Sequence, residues 1–216
     1  MGESYKTIYE KTQHILTEKK SKFIATAIPV TSREEAEEKL AVLRKEYKDA
    51  THNVFAYRIK EEVGIWERQS DDGEPSGTAG MPILDMLRGE ELVNILMVVT
   101  RYYGGTLLGT GGLVRAYGHS AKESLIGKII EKTKYTLLSV QVEYPLAGKI
   151  QHHLESDDFV IKDIIYTDIT EFQAYTKSTN VNTITETLTQ LTNAQIKITS
   201  LEESYGFFQE GNFTPN

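Results

Sequence analysis

The sequence predicts a mixed α+β fold divided into two domains. Apolar residues alternate with period two in some segments and recur at helical spacing in others, which indicates strands and helices along the same chain. The later part of the chain follows the order strand, helix, strand, strand, helix, strand, which is typical of a ferredoxin-like domain. The pattern changes between Gly127 and Lys132, so we expect domains at residues 1–131 and 132–216. A chain of 216 residues is long enough to bury two cores.

The first domain is predicted to open with two strands and a helix. The strands cover Lys6–Glu18 and Lys22–Val30 and are separated by the polar run Lys19–Ser21. Ser32, followed three residues later by Glu35, is a capping box and marks the start of the helix. The apolar stripe of that helix consists of Ala36, Leu40, Leu43 and Tyr47.

The rest of the first domain is predicted to contain three further strands and two further helices. Asn94–Thr100 is almost continuously apolar, which is typical of a strand buried on both faces. Gly127 is a natural stop for the second of these helices. The remaining elements are strands at His52–Ile59 and Gly64–Arg68, a short helix from Thr78 or Gly80 to Gly89, and a helix whose buried positions are Leu113, Tyr117, Ala121 and Leu125.

The second domain is predicted to contain four strands and two helices. Each helix carries apolar residues at intervals of three or four, which gives it one buried face. The tail Gly211–Asn216 is polar, and we expect it to be mobile. The strands are predicted near Lys134–Tyr144, Phe159–Tyr166, Glu171–Lys177 and Ile196–Phe208, and the helices near Ala147–Ser156 and Asn180–Leu191.

The composition excludes several classes of protein. The chain has no cysteine, which rules out disulfide bonds, thiol chemistry and zinc–thiolate sites. Its N-terminal sequence, MGESYKTIYEKTQ, lacks the apolar core of a signal peptide. No segment approaches the roughly 20 apolar residues that a membrane-spanning helix needs. We therefore expect a cytosolic protein without a membrane or disulfide partner.

The charge distribution limits where nucleic acid could bind. The formal net charge is −7. Residues 1–131 carry 18 Lys and Arg against 20 Asp and Glu, and residues 132–216 carry 6 against 11. Affinity for nucleic acid comes largely from neutralising phosphates. A nucleic-acid site would therefore be a small basic patch in the first domain.

Three segments of the first domain form the candidate site: Asp71–Gly80, Thr100–Gly105 and Gly109–Tyr117. A helix N-terminus presents free backbone N–H groups and partial positive charge, and glycines let an anion approach them. Arg101 and Arg115 are candidates for bidentate phosphate contacts, and the neighbouring tyrosines are candidates for stacking on bases. The binding candidates are Arg101, Tyr102, Tyr103, Gly104, Gly105, Gly109, Thr110, Gly111, Gly112 and Arg115. The supporting candidates are His52, Asn53, Asp71, Asp72, Glu74 and Thr78.

Each of these residue types also has a purely structural interpretation, and the sequence leaves both open. The glycines are also typical of turns and close packing, and a tyrosine pair after a strand is often half-buried scaffold. Tyr117 lies on the apolar stripe of its helix. The two arginines have the loop carboxylates as alternative partners. Asp71 and Asp72 are also typical of a solvated turn or of acceptors for backbone N–H groups, and His52 of a hydrogen-bonded strand residue.

Familiar catalytic and cofactor motifs are incomplete. Gly104 and Gly109 have the spacing of a Walker A motif, but Thr110 stands where its lysine is required. Val114 replaces the last glycine or alanine of a dinucleotide fingerprint. Ser120 lacks the second glycine of a nucleophile elbow. None of the five histidines has metal-ligand spacing. We therefore predict no catalytic residue, no cofactor and no metal, and a binding protein rather than an enzyme.

Two long strings carry a resemblance to a known family. DDGEPSGTAGMPIL at residues 71–84, followed by VVTRYYGGTLLGTGGLVRAY at residues 98–117, resembles the signature of the YigZ/IMPACT family. THNVFAYRI at residues 51–59 looks like the strand that precedes this signature. The region that bears the motifs runs from about Lys20 to Leu125, and the second domain looks like that of the bacterial members.

The resemblance implies a fold and a biological process. It implies a first domain with the fold of the second domain of a small-subunit ribosomal protein, shared by domain four of elongation factor G. The second domain is similar to the ferredoxin-like last domain of that factor. Eukaryotic relatives act as translational regulators by competing for the co-activator of an initiation-factor kinase. They also carry a different, additional domain that this sequence does not show, so that partner is not carried over to this chain. Fold similarity alone does not establish function.

Three functional hypotheses remain, and the sequence does not indicate an oligomeric state. The leading one is a non-catalytic regulator of translation that binds RNA, the ribosome or a ribosome-associated protein through the first domain. The alternative is an enzyme acting on a phosphorylated small molecule or nucleotide, with Asp71, Asp72 or Glu74 as base or magnesium ligand. The third is a protein-interaction module whose acidic second domain docks a basic partner.

Overall fold

A computed structural model of the chain describes residues 4–155, 159–209 and 212–215. Its internal contacts divide the chain into two compact units. Unit 1 contains Tyr5–Glu131, and unit 2 contains Lys132–Asn216. The helices of the described residues are all too short or too polar to cross a membrane. The structure is therefore mixed α+β with two units, as predicted.

Unit 1 is a five-stranded antiparallel sheet with helices on both faces. Its strand order is β2-β3-β6-β4-β5. Helices α2 and α3 cover one face of the sheet and α1 covers the other, so that β6 is buried on both faces, as its apolar sequence predicted. Its elements, including β1 outside this sheet, are β1 (Ser4–Ile8), β2 (Thr12–Glu18), β3 (Ser21–Pro29), α1 (Arg33–Glu46), β4 (His52–Glu61), β5 (Gly64–Ser70), α2 (Gly80–Gly89), β6 (Ile95–Tyr102) and α3 (Thr110–Glu123).

The first helix begins where its capping residues predicted. The Ser32 hydroxyl accepts a hydrogen bond from the Glu35 backbone N–H at 3.1 Å. The Glu35 carboxylate accepts in return from the backbone N–H of Thr31 at 2.8 Å, one residue earlier than in the standard capping box. This start aligns Ala36 and Leu40 with the sheet, and both are buried.

The prediction of one strand at Lys6–Glu18 is wrong, because the segment forms two strands with different neighbours. β1 ends at Ile8, and its Lys6 carbonyl accepts a hydrogen bond from the Val93 backbone N–H after α2. β2 begins at Thr12 and pairs with β3 in the register Thr12↔Ala27. Because the two halves bond to different partners, the chain leaves the strand conformation between them.

Unit 2 has the predicted order strand, helix, strand, strand, helix, strand, followed by one additional short strand. The sheet order is β11-β10-β7-β9-β8, with antiparallel pairing between these neighbours. Helices α4 and α5 pack on its apolar face with Ile150, Leu154, Ile184 and Leu188. The elements are β7 (Ile129–Val142), α4 (Tyr144–Leu154), β8 (Phe159–Tyr166), β9 (Thr170–Lys177), α5 (Val181–Leu191), β10 (Lys197–Gln209) and β11 (Asn212–Pro215).

The predicted mobility of the C-terminal tail is wrong for residues 212–215, which form β11 against β10. The ring of Phe213 lies 4.7 Å from that of Tyr135 and 4.6 Å from that of Tyr175. Gly206 makes room for it, since a Cβ there would lie 2.4 Å from the Phe213 ring. One aromatic residue in a polar tail, in contact with two tyrosines, therefore holds the segment against the sheet. Gly211 and Asn216 lie outside the described residues, as does Ser156 at the end of a predicted helix.

Candidate functional site

The first carboxylate of the glycine-rich loop holds the start of α2. One Asp71 carboxylate oxygen accepts hydrogen bonds from the backbone N–H groups of Ala79 and Gly80, at 3.0 and 2.8 Å. The other accepts from the N–H of Gly77 at 2.8 Å. The N–H groups of Ala79 and Gly80 would otherwise be unsatisfied at the N-terminus of α2. Asp71 is thus an acceptor for backbone N–H groups, one of the two structural interpretations of this residue.

The second carboxylate fastens the loop to β4. Asp72 accepts from the backbone N–H of Asn53 at 2.6 Å and from the guanidinium of Arg44 at 3.3 Å. His52 Nδ1 lies 2.8 Å from the Asp72 carbonyl oxygen. Because a carbonyl oxygen can only accept, Nδ1 carries the proton. The Asn53 side chain in turn accepts from the Thr100 hydroxyl of β6 at 2.7 Å.

The third carboxylate, Glu74, forms a buried ion pair with Arg101 at 2.6 Å. The side chains are only 4% and 6% exposed, so neither charge is solvated. The Tyr117 hydroxyl donates to the same Glu74 oxygen at 2.7 Å. Burial and the Glu74 carboxylate raise the pKa of Tyr117 far above its usual range, so this hydroxyl remains a donor. His52 Nε2 lies 3.8 Å from the other Glu74 oxygen.

The buried pair changes the role predicted for Arg101. The guanidinium donates to Glu74 and to the Ser21 hydroxyl and lies 5.4 Å from the ring centres of both Phe23 and Tyr103. A phosphate has no access to it in this arrangement. The phosphate contact expected of Arg101 is therefore not supported, and pairing with a loop carboxylate, the structural interpretation, describes its position.

The same contacts bear on the enzyme hypothesis. All three loop carboxylates are occupied by backbone N–H groups, arginines or Tyr117, so none is placed as a free base. Within residues 4–155, 159–209 and 212–215, the His, Asp and Glu side chains form no group of three that could hold a metal ion. The Thr78 hydroxyl, another supporting candidate, donates to the Pro75 carbonyl at 2.6 Å within the loop. The loop therefore holds β4, β6 and α2 together through these hydrogen bonds and the ion pair.

The candidate glycines divide into two groups. Gly104 is required for packing, because a Cβ there would lie 2.0 Å from the Lys20 carbonyl carbon. Gly112 packs against Leu108, with its ideal Cβ position 3.0 Å away. Gly105 and Gly109 have φ values of +80° and +73° and border open space. Gly111 and Thr110 lie exposed in the first turn of α3, where an anion has access to the backbone.

The two candidate tyrosines differ in accessibility. The Tyr102 hydroxyl donates to Asp49 at 3.0 Å. Tyr103 is 45% exposed, while its backbone N–H donates to the Thr51 hydroxyl at 3.0 Å. Its ring is adjacent to the buried Arg101 guanidinium. Tyr103 is therefore the tyrosine that is free to meet a base.

The structure also shows cations that the sequence analysis did not include. Lys19 and Lys20 form the turn between β2 and β3 with φ values of +46° and +67°, and Lys22 follows at the start of β3. Gly104 brings the loop after β6 against this turn. Lys19, Lys20 and Arg115 on α3 are exposed, and we call these three residues the basic surface. In the described part of the chain, none of these three takes part in an ion pair. Lys22 is also exposed, but it alternates with Phe23 and so lies on the sheet face opposite α3. The sequence feature that could have indicated these cations is the run KKSK, which stands at a predicted turn.

A groove adjoins the basic surface, between β2 and α3. Its volume is about 510 Å³. Apolar side chains and charged side chains both contribute to its walls, and it opens beside the first turns of α3. Its lining residues are Leu16, Glu18, Lys19, Leu108, Gly112, Arg115, Ala116 and His119. The geometry thus joins Arg115 to Lys19, and it keeps Arg101 and Glu74 in the interior.

Family models match both units. The Impact N-terminal domain matches residues 19–125, which include the loop, the basic surface and the groove apart from Leu16 and Glu18. A domain of unknown function, DUF1949, matches residues 140–195 in unit 2. The two matches follow each other along the chain, one in each unit.

Whole-chain relatives agree with these matches. The chain is 39% identical over 207 residues to the IMPACT family member YvyE of Bacillus subtilis (strain 168), covering 95% of this chain and 94% of that protein. It is 33% identical over 191 residues to the IMPACT family member YigZ of Escherichia coli (strain K12), covering 86% and 92%. A crystal structure of a hypothetical protein matches with a TM-score of 0.60 and 31% identity, covering 94% and 99% of the two chains. The chain therefore belongs to the YigZ/IMPACT family.

Proposed function

We propose that this protein acts in translation by binding RNA, and that the basic surface contacts RNA phosphates. The observation that carries the proposal is the group of three exposed cations, Lys19, Lys20 and Arg115, without ion pairs in the described part of the chain. They lie in a protein of net charge −7. Neighbouring cations repel one another, and Glu18 beside Lys19 offsets only part of this repulsion, so an anionic partner lowers the electrostatic free energy further. Phosphates are the partner that lysine and arginine side chains fit best.

The surroundings of the cluster favour a polyanion over a single ion. Lys19 and Lys20 lie at the turn between β2 and β3, and Arg115 lies on α3 at the groove that Lys19 also lines, so the phosphates of one chain can contact them in succession. The N-cap of α3, Gly109, offers no side chain to the first N–H groups of the helix. Those groups remain available to an anion at the positive end of the helix dipole. Tyr103 is 45% exposed and is available for stacking on a base.

Family membership supplies the process in which such binding would act. The resemblance of the signature strings implies a role in translation for the family. Ribosomal RNA is the most abundant RNA of that process. We therefore place the RNA contact on ribosomal RNA or tRNA. A ribosomal protein as the partner is a separate outcome that the experiment below identifies.

The test is co-sedimentation of the purified protein with ribosomes and isolated subunits at near-physiological salt. The variant Lys19→Gln/Lys20→Gln/Arg115→Gln removes three positive charges and keeps long side chains. Its matched control, Lys39→Gln/Lys45→Gln/Lys48→Gln, removes three exposed charges in and after α1. We expect the native protein and the control to pellet with ribosomes, and the first variant to remain in the supernatant.

The salt dependence then identifies the contact. Each neutralised phosphate steepens the fall of affinity with salt, so affinity for protein-free ribosomal RNA should drop by about 10- to 1,000-fold between 50 and 200 mM salt. A folded triple variant that pellets as well as the native protein contradicts the proposal. Binding to intact ribosomes without binding to the naked RNA would replace it with a protein contact.

A further inference from the structure

We infer that the groove between β2 and α3 binds an unpaired nucleobase, so that the RNA held by the basic surface is single-stranded. This inference rests on the proposed function and adds the kind of RNA that is bound. The groove and the basic surface share two residues, Lys19 and Arg115. A strand whose phosphates lie on the basic surface therefore has the groove within reach of its bases.

The groove has the size and the apolar lining that a base requires. Its volume of about 510 Å³ lies within the range of small-molecule pockets. Leu16, Leu108 and Ala116 contribute apolar surface to it. Gly112 adds backbone without a side chain, and its ideal Cβ position is only 3.0 Å from Leu108. An aromatic ring gains free energy on such a surface, whereas a bare phosphate does not.

Two planar side chains lie on the α3 wall of this groove. Arg115 and His119 are four residues apart, so they project from the same face of the helix one turn apart. Guanidinium and imidazole groups are planes on which unpaired bases stack in RNA-binding proteins. The His119 side chain is 57% exposed, and its contact with Glu123 is a long one of 4.0 Å. Both planes are therefore free to pack on a base.

The charged residues at the rim of the groove favour a base over a simple anion as the ligand. Lys19 lies on the β2 side of the groove and suits the phosphate that follows the base. Glu18 beside it is a carboxylate with no ion-pair partner among the described side chains. It repels a bare phosphate or sulfate but accepts hydrogen bonds from the amino and imino groups on the edge of a base. In a duplex those groups are already paired, so the groove selects single strands.

The test compares single-stranded and double-stranded RNA by fluorescence anisotropy. The probes are labelled 15-nucleotide oligo(A) and oligo(U) strands and the duplex formed from the two. The groove variants are Arg115→Lys, which keeps the charge and loses the plane, and His119→Ala. The control is His152→Ala, which removes an exposed histidine of α4.

We expect the native protein to bind one or both single strands more tightly than the duplex. Loss of one stacking partner should weaken single-strand binding about tenfold, since a stacked base contributes roughly 1–3 kcal/mol. Duplex binding of His119→Ala should change less than about twofold, because the duplex uses the phosphates alone and His119 lies outside the basic surface. His119→Phe should restore single-strand affinity, which a merely electrostatic role of His119 would not allow.

The outcomes separate this inference from the proposed function. If His119→Ala and Arg115→Lys leave the preference for single strands unchanged, or if the native protein prefers the duplex, the groove does not hold a base. The basic surface would still bind RNA in that case, as the loss of binding in the triple variant would show. If the native protein binds none of the three probes and no ribosomal RNA, both proposals are wrong.

Discussion

At the scale of single residues, the Arg101–Glu74 pair determines what the glycine-rich loop does. Both charges are almost fully removed from water and so lose their hydration. Their mutual attraction offsets this loss of hydration free energy only when both residues are present. The Tyr117 hydroxyl completes the hydrogen bonding of the same oxygen. This pair joins the loop to β6, and Tyr117 adds α3. The segments that carry the family signature are thus held together by an ion pair and a hydrogen bond within unit 1.

Replacement of Glu74 by alanine is expected to destabilise unit 1 by about 3 kcal/mol, because it leaves Arg101 buried without a counter-charge. The measurement is urea unfolding followed by the fluorescence of Trp66, the one tryptophan of the sequence, which lies in unit 1. The double variant Glu74→Ala/Arg101→Ala should lose less than the sum of the single losses. Additive losses would contradict the pair as described, and exposed Glu38→Ala serves as the neutral control.

The role of a single residue was predictable from the sequence only where the residue type alone determines that role. The sequence identified Asp71 as an acceptor of backbone N–H groups and Arg101 as a partner of the loop carboxylates, in both cases as one of two open interpretations. It did not decide between them, because burial of Arg101 depends on Phe23 and Tyr103 packing around it in the folded sheet. Lys19 and Lys20 were overlooked as site residues because a polar run at a turn is ordinary. Their position against Gly104 is a tertiary contact between segments more than 80 residues apart.

At the scale of secondary-structure elements, Glu67 links β5 to β4 and α2. Its carboxylate accepts from the Arg58 guanidinium at 2.8 Å and from Arg88. Hydrogen bonding to Arg88, reinforced by Arg58, holds the pKa of Glu67 below its ordinary value of 4.5. Arg58 itself is buried and also donates to the Leu92 carbonyl at 2.8 Å. The edge strand β5 is thus held to β4 and α2 by ion pairs, in addition to its backbone hydrogen bonds to β4.

The lowered pKa predicts a pH dependence of unfolding. A carboxyl whose pKa is lower when folded stabilises the protein above its ordinary pKa, and this contribution is lost as the pH falls through the folded value. Glu67→Gln should therefore be less stable than the native protein at pH 7 by about 2 kcal/mol. The difference should shrink below pH 4.5. The measurement is the free energy of unfolding between pH 7 and pH 3, with exposed Glu62→Gln as the control. A difference independent of pH would contradict the assignment.

Elements were predictable where local signals mark their ends. Ser32 and Glu35 gave the start of α1, and the apolar run gave β6. The division of the first predicted strand into β1 and β2 was not predictable, because both halves are strand-like and differ only in their distant partners. β11 was missed for a related reason, since its ring contact with Tyr135 joins residues far apart in sequence.

At the scale of the whole molecule, each unit has its own hydrophobic interior. The apolar clusters of unit 1 lie on the two faces of its sheet, and those of unit 2 lie between its sheet and helices and around Phe213. Units with separate cores behave as separate domains. The division into two domains was predictable from the change of pattern near Gly127. The likeness of the two units to domains of elongation factor G remains a prediction from the resemblance.

Separate cores predict two unfolding transitions. Trp66 fluorescence reports on unit 1 alone, whereas far-ultraviolet circular dichroism reports on the helices and strands of both units. The two probes should therefore give different midpoints in urea, because coincident curves are the sign of one cooperative transition. Coincident midpoints, together with a slope expected for the whole chain, would contradict independent units.

Strand β11 has a consequence for how copies of this protein meet in solution. Without it, the 13-residue β10 would present a long open edge of backbone donors and acceptors, the kind of edge that templates aggregation. β11 covers part of that edge with only four residues, the last of which is Pro215, whose nitrogen has no hydrogen to donate. Because β11 pairs only with residues 206–209, it limits intermolecular sheet growth at this end of β10, whereas no described strand pairs with residues 197–205 on that side.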